Sequence, residues 1–229
     1  MIVPKEDKQF YTTEVQRKVL LELIKEPVIA ENFFLTGGTA LSVFYLYHRQ
    51  SNDIDLFTLR DVDLPGIALL IKKTWQKSIA IIKESSFFLS CLIDNTKVDI
   101  VIDPLSFDEI RPVFTFENGY SIKIDTISNI VSNKLTACVS RTEPKDYIDL
   151  YILLKHYPEI QFNYIYSMAQ KKDAIFDDPP TVAFQIEEGI AFLKKNRMIM
   201  PPMSCDFDYD DFIVFFEKLT KWIYGKLQI

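Results

Sequence analysis

Two aspartates, Asp53 and Asp55, have the spacing of a small metal site. They lie in the segment Asp53–Thr58 (DIDLFT), where polar and apolar residues alternate as in a half-buried strand. Side chains two residues apart on a strand face the same side, so both carboxylates should point one way while Ile54 and Leu56 point to the core. Clustered carboxylates repel one another, and a hard cation such as Mg²⁺ or Mn²⁺ relieves that repulsion.

A later aspartate, Asp99, is a candidate third metal ligand. It lies in Lys97–Ile102 (KVDIVI) with apolar neighbours on either side, which again predicts a strand. If this strand pairs with the one that carries Asp53 and Asp55, three carboxylates converge. Such a set can hold two divalent ions, which clamp the attacking and leaving oxygens of a phosphoryl transfer.

A glycine pair precedes these acids and suits phosphate binding. Asn32–Thr36 predicts a buried strand that ends at Gly37–Gly38, and Thr39–Arg49 predicts a buried helix. Glycine lets the backbone approach a phosphate closely, and the N–H groups at a helix start favour negative charge. Nearby polar side chains could add donors to phosphate oxygens, namely Thr39, Arg49 and Ser51.

The elements that position these residues form a mixed N-terminal half and a helical C-terminal half. Hydrophobic periodicity predicts helices over Thr12–Ile29 and Leu64–Trp75, and strands over Ser78–Lys83, Ser86–Ile93 and Lys97–Ile102, with a hairpin around Asn118–Gly119. From about Thr126 the pattern is helical. We therefore predict an α/β core over residues 1–125 and a helical domain over residues 126–229.

Composition limits the classes of function. The chain has 229 residues, 48% of them hydrophobic, and a net charge of −6, as expected of a globular protein without a wholly basic nucleic-acid surface. Contact with nucleic acid would need a local basic patch. No apolar run approaches the ~20 residues of a membrane span, and no signal pattern opens the chain. Three scattered cysteines and two isolated histidines favour a cytoplasmic protein without a zinc site.

At these residues the chain resembles the nucleotidyltransferase toxin family of the AbiEii/AbiGii type, within the DNA polymerase β-like superfamily. The resemblance extends over about residues 30 to 155. The matching segments are LTGGTAL (Leu35–Leu41), RQSNDIDLF (Arg49–Phe57), VDIV (Val98–Val101), NKL (Asn133–Leu135) and KDYIDL (Lys145–Leu150). Each motif is weak alone, but their order along the chain is specific.

The resemblance implies an α+β fold, with a polymerase β-like nucleotidyltransferase core followed by a helical C-terminal domain. It implies that Asp53 and Asp55 bind Mg²⁺ or Mn²⁺, and that an NTP is the substrate. Lys134 would contact phosphate, and Asp146 would be an acid needed for activity, as the base for the acceptor hydroxyl. The phosphate loop would be Gly37, Gly38 and Thr39. The implied acceptor is RNA, at the tRNA 3′ end, and the implied partner is a separate antitoxin protein.

Two other functions fit the same motifs. One is a nucleotidyltransferase that modifies a small hydroxylated molecule such as an antibiotic, and the other is a non-catalytic nucleotide-binding or antitoxin-binding module. An aromatic-lined pocket would favour the first. Lys134 and Asp146 also have structural explanations. Lys134 would then be a solvated helix residue, and Asp146 would stabilise its helix by lying in the first turn, where the helix dipole favours a negative charge. Asp149 could also take the role assigned to Asp146.

Overall fold

The computed structural model describes residues 2–225. Contacts divide the chain into two compact units, Met1–Thr126 and Ile127–Ile229. The last four residues of the predicted helical domain, 226–229, lie outside the described residues.

The first unit combines helices with a sheet. Its helices are α1 (Glu14–Leu23), α2 (Pro27–Asn32), α3 (Gly37–Leu41) and α4 (Leu64–Trp75). Its strands are β1 (Phe34–Thr36), β2 (Ile54–Thr58), β3 (Ile79–Glu84), β4 (Phe88–Ile93), β5 (Thr96–Ile102), β6 (Val113–Thr115) and β7 (Ser121–Ile124).

One mixed sheet joins these seven strands in the order β3-β4-β5-β2-β1-β7-β6. The pairs β2/β5 and β1/β7 are parallel, and the other neighbours are antiparallel. The short β1 and β2 are thus central, with β5 beside β2. The predicted pairing of the Asp99 strand with the Asp53–Asp55 strand is confirmed.

The first predicted helix, Thr12–Ile29, is wrong as a single element. The helix α1 ends at Leu23, and α2 begins at Pro27 after Glu26 has taken an extended conformation, with ψ 116°. The proline ring disfavours helical backbone in the residue before it, which separates the two helices.

The helix predicted over Thr39–Arg49 is present, but both of its ends lie nearer the N-terminus than predicted. The helix α3 spans Gly37–Leu41, with Gly37 itself at positive φ. It continues as a π-helical turn over Ser42–Leu46 and stops at Tyr47, which has a φ of 55°. Left-handed backbone at a non-glycine residue ends a helix abruptly. His48, Arg49 and Ser51 follow and are buried, and the side chains of Arg49 and Ser51 lie against Gly38.

The three predicted strands β3, β4 and β5 form an antiparallel meander. Asp94 and Asn95 connect β4 to β5 with φ values of 47° and 63°. Positive φ at two successive residues is the requirement of a tight hairpin turn, and aspartate and asparagine tolerate it best after glycine.

The second unit is helical, as predicted. Its helices are α5 (Ile127–Ser140), α6 (Pro144–His156), α7 (Phe162–Lys172), α8 (Pro179–Lys195) and α9 (Tyr209–Gly225). Helix α5 contacts α6, α7 and α8, and α9 contacts α6 and α8. Large aromatic side chains fill the core of this unit, among them Tyr147, Tyr166, Phe176, Phe212 and Phe216. Between residues 2 and 225, no helix has both the length and the apolar composition of a membrane span.

Candidate active site

The strand β2 carries Asp55 on its partly exposed face. Ile54 and Leu56 are fully buried, whereas Asp55 between them is partly exposed, which is the predicted alternation. Asp53 immediately precedes the strand, and its backbone carbonyl accepts a hydrogen bond from the Thr39 hydroxyl. The hydroxyl of Thr39 is therefore engaged within the protein, where it fixes the backbone of Asp53.

The first glycine of the pair lies directly against Asp55. Gly37 has a φ of 68°, in the region that favours glycine, and a Cβ placed on it would lie 2.1 Å from Asp55 Oδ2. Thr36, the residue before it, is the antiparallel partner of Asp55. The turn between β1 and α3 thus packs against the Asp55 carboxylate, although Gly37 and Asp55 are 18 positions apart in the sequence.

The second glycine packs against the other predicted phosphate-binding residues. A Cβ on Gly38 would lie 2.6 Å from Ser51 Oγ and 2.9 Å from Arg49 Nη2. Arg49 is 3% exposed and its Nη1 donates to the Gln50 carbonyl at 2.8 Å. The structure therefore brings Arg49 and Ser51 to the glycine turn and buries them there.

A buried glutamine in α1 supports the same turn, and no sequence motif indicated it. Gln16 is 1% exposed. Its Nε2 donates to the Ser51 carbonyl at 2.8 Å and to Thr39 Oγ1 at 3.3 Å, and its Oε1 accepts from Thr12 N at 2.9 Å. The sequence did contain a signal for the burial of Gln16. This residue lies one helical turn before Val19 on the apolar face of an amphipathic helix, where a polar side chain needs buried hydrogen-bond partners.

Asp99 lies beside Asp55 but has other partners. The two residues are opposite each other in the β2/β5 register. Asp99 Oδ1 accepts from Ser90 Oγ at 2.5 Å, and Oδ2 accepts from Lys97 Nζ at 2.6 Å. In the part of the chain that the structure describes, no three acidic, histidine or cysteine side chains are grouped as metal ligands. The predicted role of Asp99 as a third metal ligand therefore stays a prediction, and in this structure a hydroxyl and an ammonium group hold its carboxylate.

A second buried network at the end of β1 also went unpredicted. Asp125 is fully buried and accepts hydrogen bonds from Thr36 Oγ1 at 2.6 Å and Arg111 Nε at 2.9 Å. The Arg111 guanidinium lies 3.7 Å above the ring of Phe34. Since Thr36 is the partner of Asp55 and the neighbour of Gly37, this network fixes the strand end on which the site depends. Its two ends, Thr36 and Asp125, are 89 positions apart, so no local pattern reveals it.

The residues predicted on the helical unit form a buried ion cluster of their own. Lys134 Nζ lies 2.8 Å from both Asp146 Oδ1 and Asp149 Oδ2, and Arg141 Nε lies 2.7 Å from Asp146 Oδ2. Burial opposes ionisation of Asp146, but the charges and hydrogen bonds of Lys134 and Arg141 outweigh it and lower the pKa of that carboxyl. Both aspartate side chains are fully buried and Lys134 is 8% exposed, so the interpretation of Lys134 as a solvated helix residue is wrong.

Substitution of Gly37 tests whether the turn holds Asp55. We expect Gly37→Ala to lower the free energy of unfolding by clearly more than the ~1–2 kcal/mol of left-handed backbone strain, because its Cβ also displaces the Asp55 carboxylate. Gly119→Ala is the matched control, since Gly119 has a φ of 84° and a Cβ placed on it would meet nothing within 4 Å. Urea denaturation of both variants gives the comparison. Equal losses would mean that the Asp55 carboxylate does not depend on Gly37.

Solved structures share this fold. A presumed nucleotidyltransferase from H. pylori superposes with a TM-score of 0.51 at 22% identity, covering 97% of each chain. The enzyme ANT(2″)-Ia, in complex with adenylyl-2″-tobramycin, gives a TM-score of 0.48 at 12% identity, covering 70% of this chain and 97% of that chain. The first similarity confirms the predicted fold class.

Sequence comparison gives the family. An uncharacterized protein of Aquifex aeolicus (strain VF5) is 28% identical over 144 residues, which are 61% of this chain and 66% of that protein. The match therefore spans just under two thirds of the relative. Residues 18–196 match the family described as nucleotidyl transferase AbiEii toxin, type IV toxin–antitoxin system. Because this match includes both the glycine turn with its acidic strand and the Lys134–Asp146 cluster, the chain belongs to the AbiEii nucleotidyltransferase toxin family.

Proposed function

We propose that the protein transfers a nucleoside monophosphate from an NTP to RNA, at the tRNA 3′ end, as the toxin of a toxin–antitoxin or phage-abortive-infection system. The observation that carries the catalytic part is the contact between Gly37 and the Asp55 carboxylate, with Asp53 two residues away. This contact places a turn suited to phosphate next to carboxylates suited to metal. Family membership supports the antitoxin partner, and the RNA acceptor is a prediction from the family resemblance.

The donor set around β2 fits Mg²⁺ or Mn²⁺. Magnesium is usually held by one or two carboxylates together with water and substrate phosphates, so Asp53 and Asp55 suffice without a third acid. The ammonium of Lys97 already lies within electrostatic reach of both carboxylates, which is consistent with a face of the sheet that attracts a cation. A bound divalent ion would supply positive charge to the transferred phosphoryl group.

The chain's own residues would position the reactants. Asp53 and Asp55 hold the metal, and the backbone at Gly37–Gly38 accommodates the triphosphate. The side chains of Arg49 and Ser51 pack against Gly38, and the Thr39 hydroxyl donates a hydrogen bond to the backbone carbonyl of Asp53. In the reaction, the acceptor hydroxyl oxygen forms a bond to the α-phosphorus, the bond to the bridging oxygen breaks, pyrophosphate leaves, and the hydroxyl proton passes to a base.

The roles of Lys134 and Asp146 toward phosphate and acceptor stay predictions from the family resemblance. Asp146 has the low pKa of an ion-paired carboxylate, so it is ionised at neutral pH, as a base must be. Its side chain is fully buried and both oxygens have cationic partners, and a direct role requires one of these partners to move. The same contacts give the cluster a structural role in the helical unit.

Transfer of label to tRNA tests the proposal. The purified protein is incubated with each labelled NTP in turn, with Mg²⁺ or Mn²⁺ or with EDTA, and with tRNA, an aminoglycoside or no acceptor. We expect labelled tRNA with one or more NTPs, only when metal is present. Label on the aminoglycoside alone would replace RNA by a small hydroxylated acceptor. Absence of both NTP binding and labelled product would contradict the enzymatic proposal and favour a non-catalytic module.

A further inference from the structure

A row of polar side chains crosses the centre of the sheet. Neighbouring strands place Ser90 opposite Asp99, Asp99 opposite Asp55, and Asp55 opposite Thr36. Residues directly opposite each other on paired strands share one face, with Cβ atoms about 4.5–5.5 Å apart. Lys97, two residues before Asp99 on β5, faces the same side. This face therefore carries Lys97 together with two aspartates, Asp55 and Asp99.

Both carboxylate oxygens of Asp99 have a side-chain partner. Ser90, which is 2% exposed, donates to one carboxylate oxygen, and Lys97 donates to the other. A carboxylate with a hydrogen-bond partner on each oxygen has a fixed orientation. The Asp99 carboxylate, oriented by Ser90, therefore holds the ammonium group of Lys97 in place. The arrangement limits the movement of a lysine side chain that would otherwise sample many rotamers.

Lys97 is placed to meet a ligand. Its side chain is 39% exposed, against 14% for Asp99, so the ammonium lies toward solvent while its anchor lies toward the sheet. Partial burial opposes protonation, but the hydrogen bond to Asp99 and the charges of the three aspartates outweigh it and raise the pKa of Lys97. The group is thus a permanent cation beside Asp53 and Asp55.

We propose that Lys97 binds the triphosphate of the NTP substrate, and that Asp99, fixed by Ser90, is the positioning residue that holds Lys97 for this task. The inference rests on the proposed function, because it concerns the same site. A metal held by Asp53 and Asp55 brings phosphate oxygens next to these carboxylates, and Lys97 is the cation that lies beside them on β5. Lysine binds phosphate as a point charge, which requires proximity rather than a fixed fork geometry.

The proposal predicts effects of opposite sign on two ligands. Removal of the Lys97 charge takes a partner from the triphosphate, so NTP affinity falls. The same removal takes a competing cation away from Asp53 and Asp55, so metal affinity without nucleotide rises. A purely structural lysine would change both affinities in the same direction or neither, and this contrast separates the two roles.

A double-mutant cycle over Lys97 and Asp99 tests the proposal. The variants are Lys97→Met, Asp99→Asn and their combination, with Lys73→Met as the control that makes the same charge change at an exposed lysine of α4. Calorimetry with a non-hydrolysable NTP analogue and Mg²⁺ measures nucleotide binding, and electron paramagnetic resonance measures Mn²⁺ binding without nucleotide. We expect Lys97→Met to weaken analogue binding about tenfold or more, as for loss of a charge-assisted hydrogen bond, and to strengthen Mn²⁺ binding. Lys73→Met should change neither.

The combination decides the role of Asp99. If Asp99 acts through Lys97, Asp99→Asn weakens analogue binding in the otherwise unaltered chain but changes it by less than about twofold in the Lys97→Met background. A further loss of Mn²⁺ affinity of more than about tenfold in that background would make Asp99 a metal ligand and overturn the proposal. Unchanged analogue binding in Lys97→Met would overturn it while leaving the proposed function intact. If the unaltered protein binds no NTP analogue, the proposed function itself fails.

Discussion

Replacement of Asp55 by asparagine should reduce nucleotide transfer by at least about a thousandfold while leaving the fold intact. The amide keeps the shape of the side chain against Gly37 but loses the negative charge that, on the proposed function, holds the metal. Loss of one electrostatic group at a reacting phosphate typically costs about 10²–10³ in rate, and loss of the metal itself costs more. Asp53→Asn should have a similar effect, because the two acids share the ion.

Two measurements separate this result from a loss of structure. The free energy of unfolding of Asp55→Asn, from urea denaturation, should stay within about 1 kcal/mol of the unaltered protein, since the carboxylate is partly exposed and an asparagine fits its space. Asp61→Asn provides the matched control at an exposed aspartate shortly after β2, and it should transfer nucleotide normally. Full activity of Asp55→Asn, or its unfolding, would remove Asp55 from the proposed metal site.

The second large effect concerns stability rather than rate. We expect Lys134→Met to lower the free energy of unfolding by about 3–5 kcal/mol, because it leaves two fully buried carboxylates, those of Asp146 and Asp149, without their shared cation. Arg141 still pairs with Asp146, but its side chain is 57% exposed and does not replace a buried ammonium. Denaturation followed by circular dichroism measures the change.

The control for Lys134→Met is the same substitution in an exposed ion pair. Lys155→Met removes the partner of Asp211 at a site where both side chains are about half exposed, and a loss of at most about 1 kcal/mol is expected. Equal effects of the two substitutions would show that the buried cluster does not stabilise the helical unit. A loss of activity in Lys134→Met is evidence for a catalytic role only if it persists under conditions where the variant is folded.

The same cluster predicts a pH dependence of stability. The folded-state pKa of Asp146 lies below its ordinary value of 3.8, so the ionised cluster stabilises the protein above that value. The stabilisation is lost as the pH falls from about 3.8 through the lower folded-state pKa. The difference in unfolding free energy between the unaltered protein and Asp146→Asn should therefore shrink as the pH is lowered through this window. A difference independent of pH would mean that ion pairing does not account for it.

Local patterns predicted the parts of the molecule that local forces decide. Alternation over DIDLFT correctly gave a strand with Asp55 on its exposed face, because the period of side chains along a strand is fixed by the backbone. The glycine pair correctly gave a turn, since Gly37 has a positive φ. The family motifs added the order of elements and the fold class, which single segments do not determine.

Contacts between distant segments could not be predicted from local patterns. Whether Asp99 faces a metal or a lysine depends on Ser90, which reaches it only through the β4/β5 register. The supports of the turn come from α1, in Gln16, and from beyond β7, in Asp125, neither of which has a motif of its own. The break between α1 and α2 could have been predicted from the local sequence, because Pro27 stands inside the segment predicted as one helix.

The position of β1 in the sheet determines when the site can form during synthesis. The strand has only three residues, and its neighbours are β2, which follows soon after, and β7, which ends at residue 124. Parallel pairing over so long an interval is slow, and it cannot begin before β7 has left the ribosome. Until then Thr36 lacks Asp125, and the turn that cradles Asp55 has no support on one side. The site of the first unit should therefore stay incomplete until Asp125 has left the ribosome, while the helical unit is still being made.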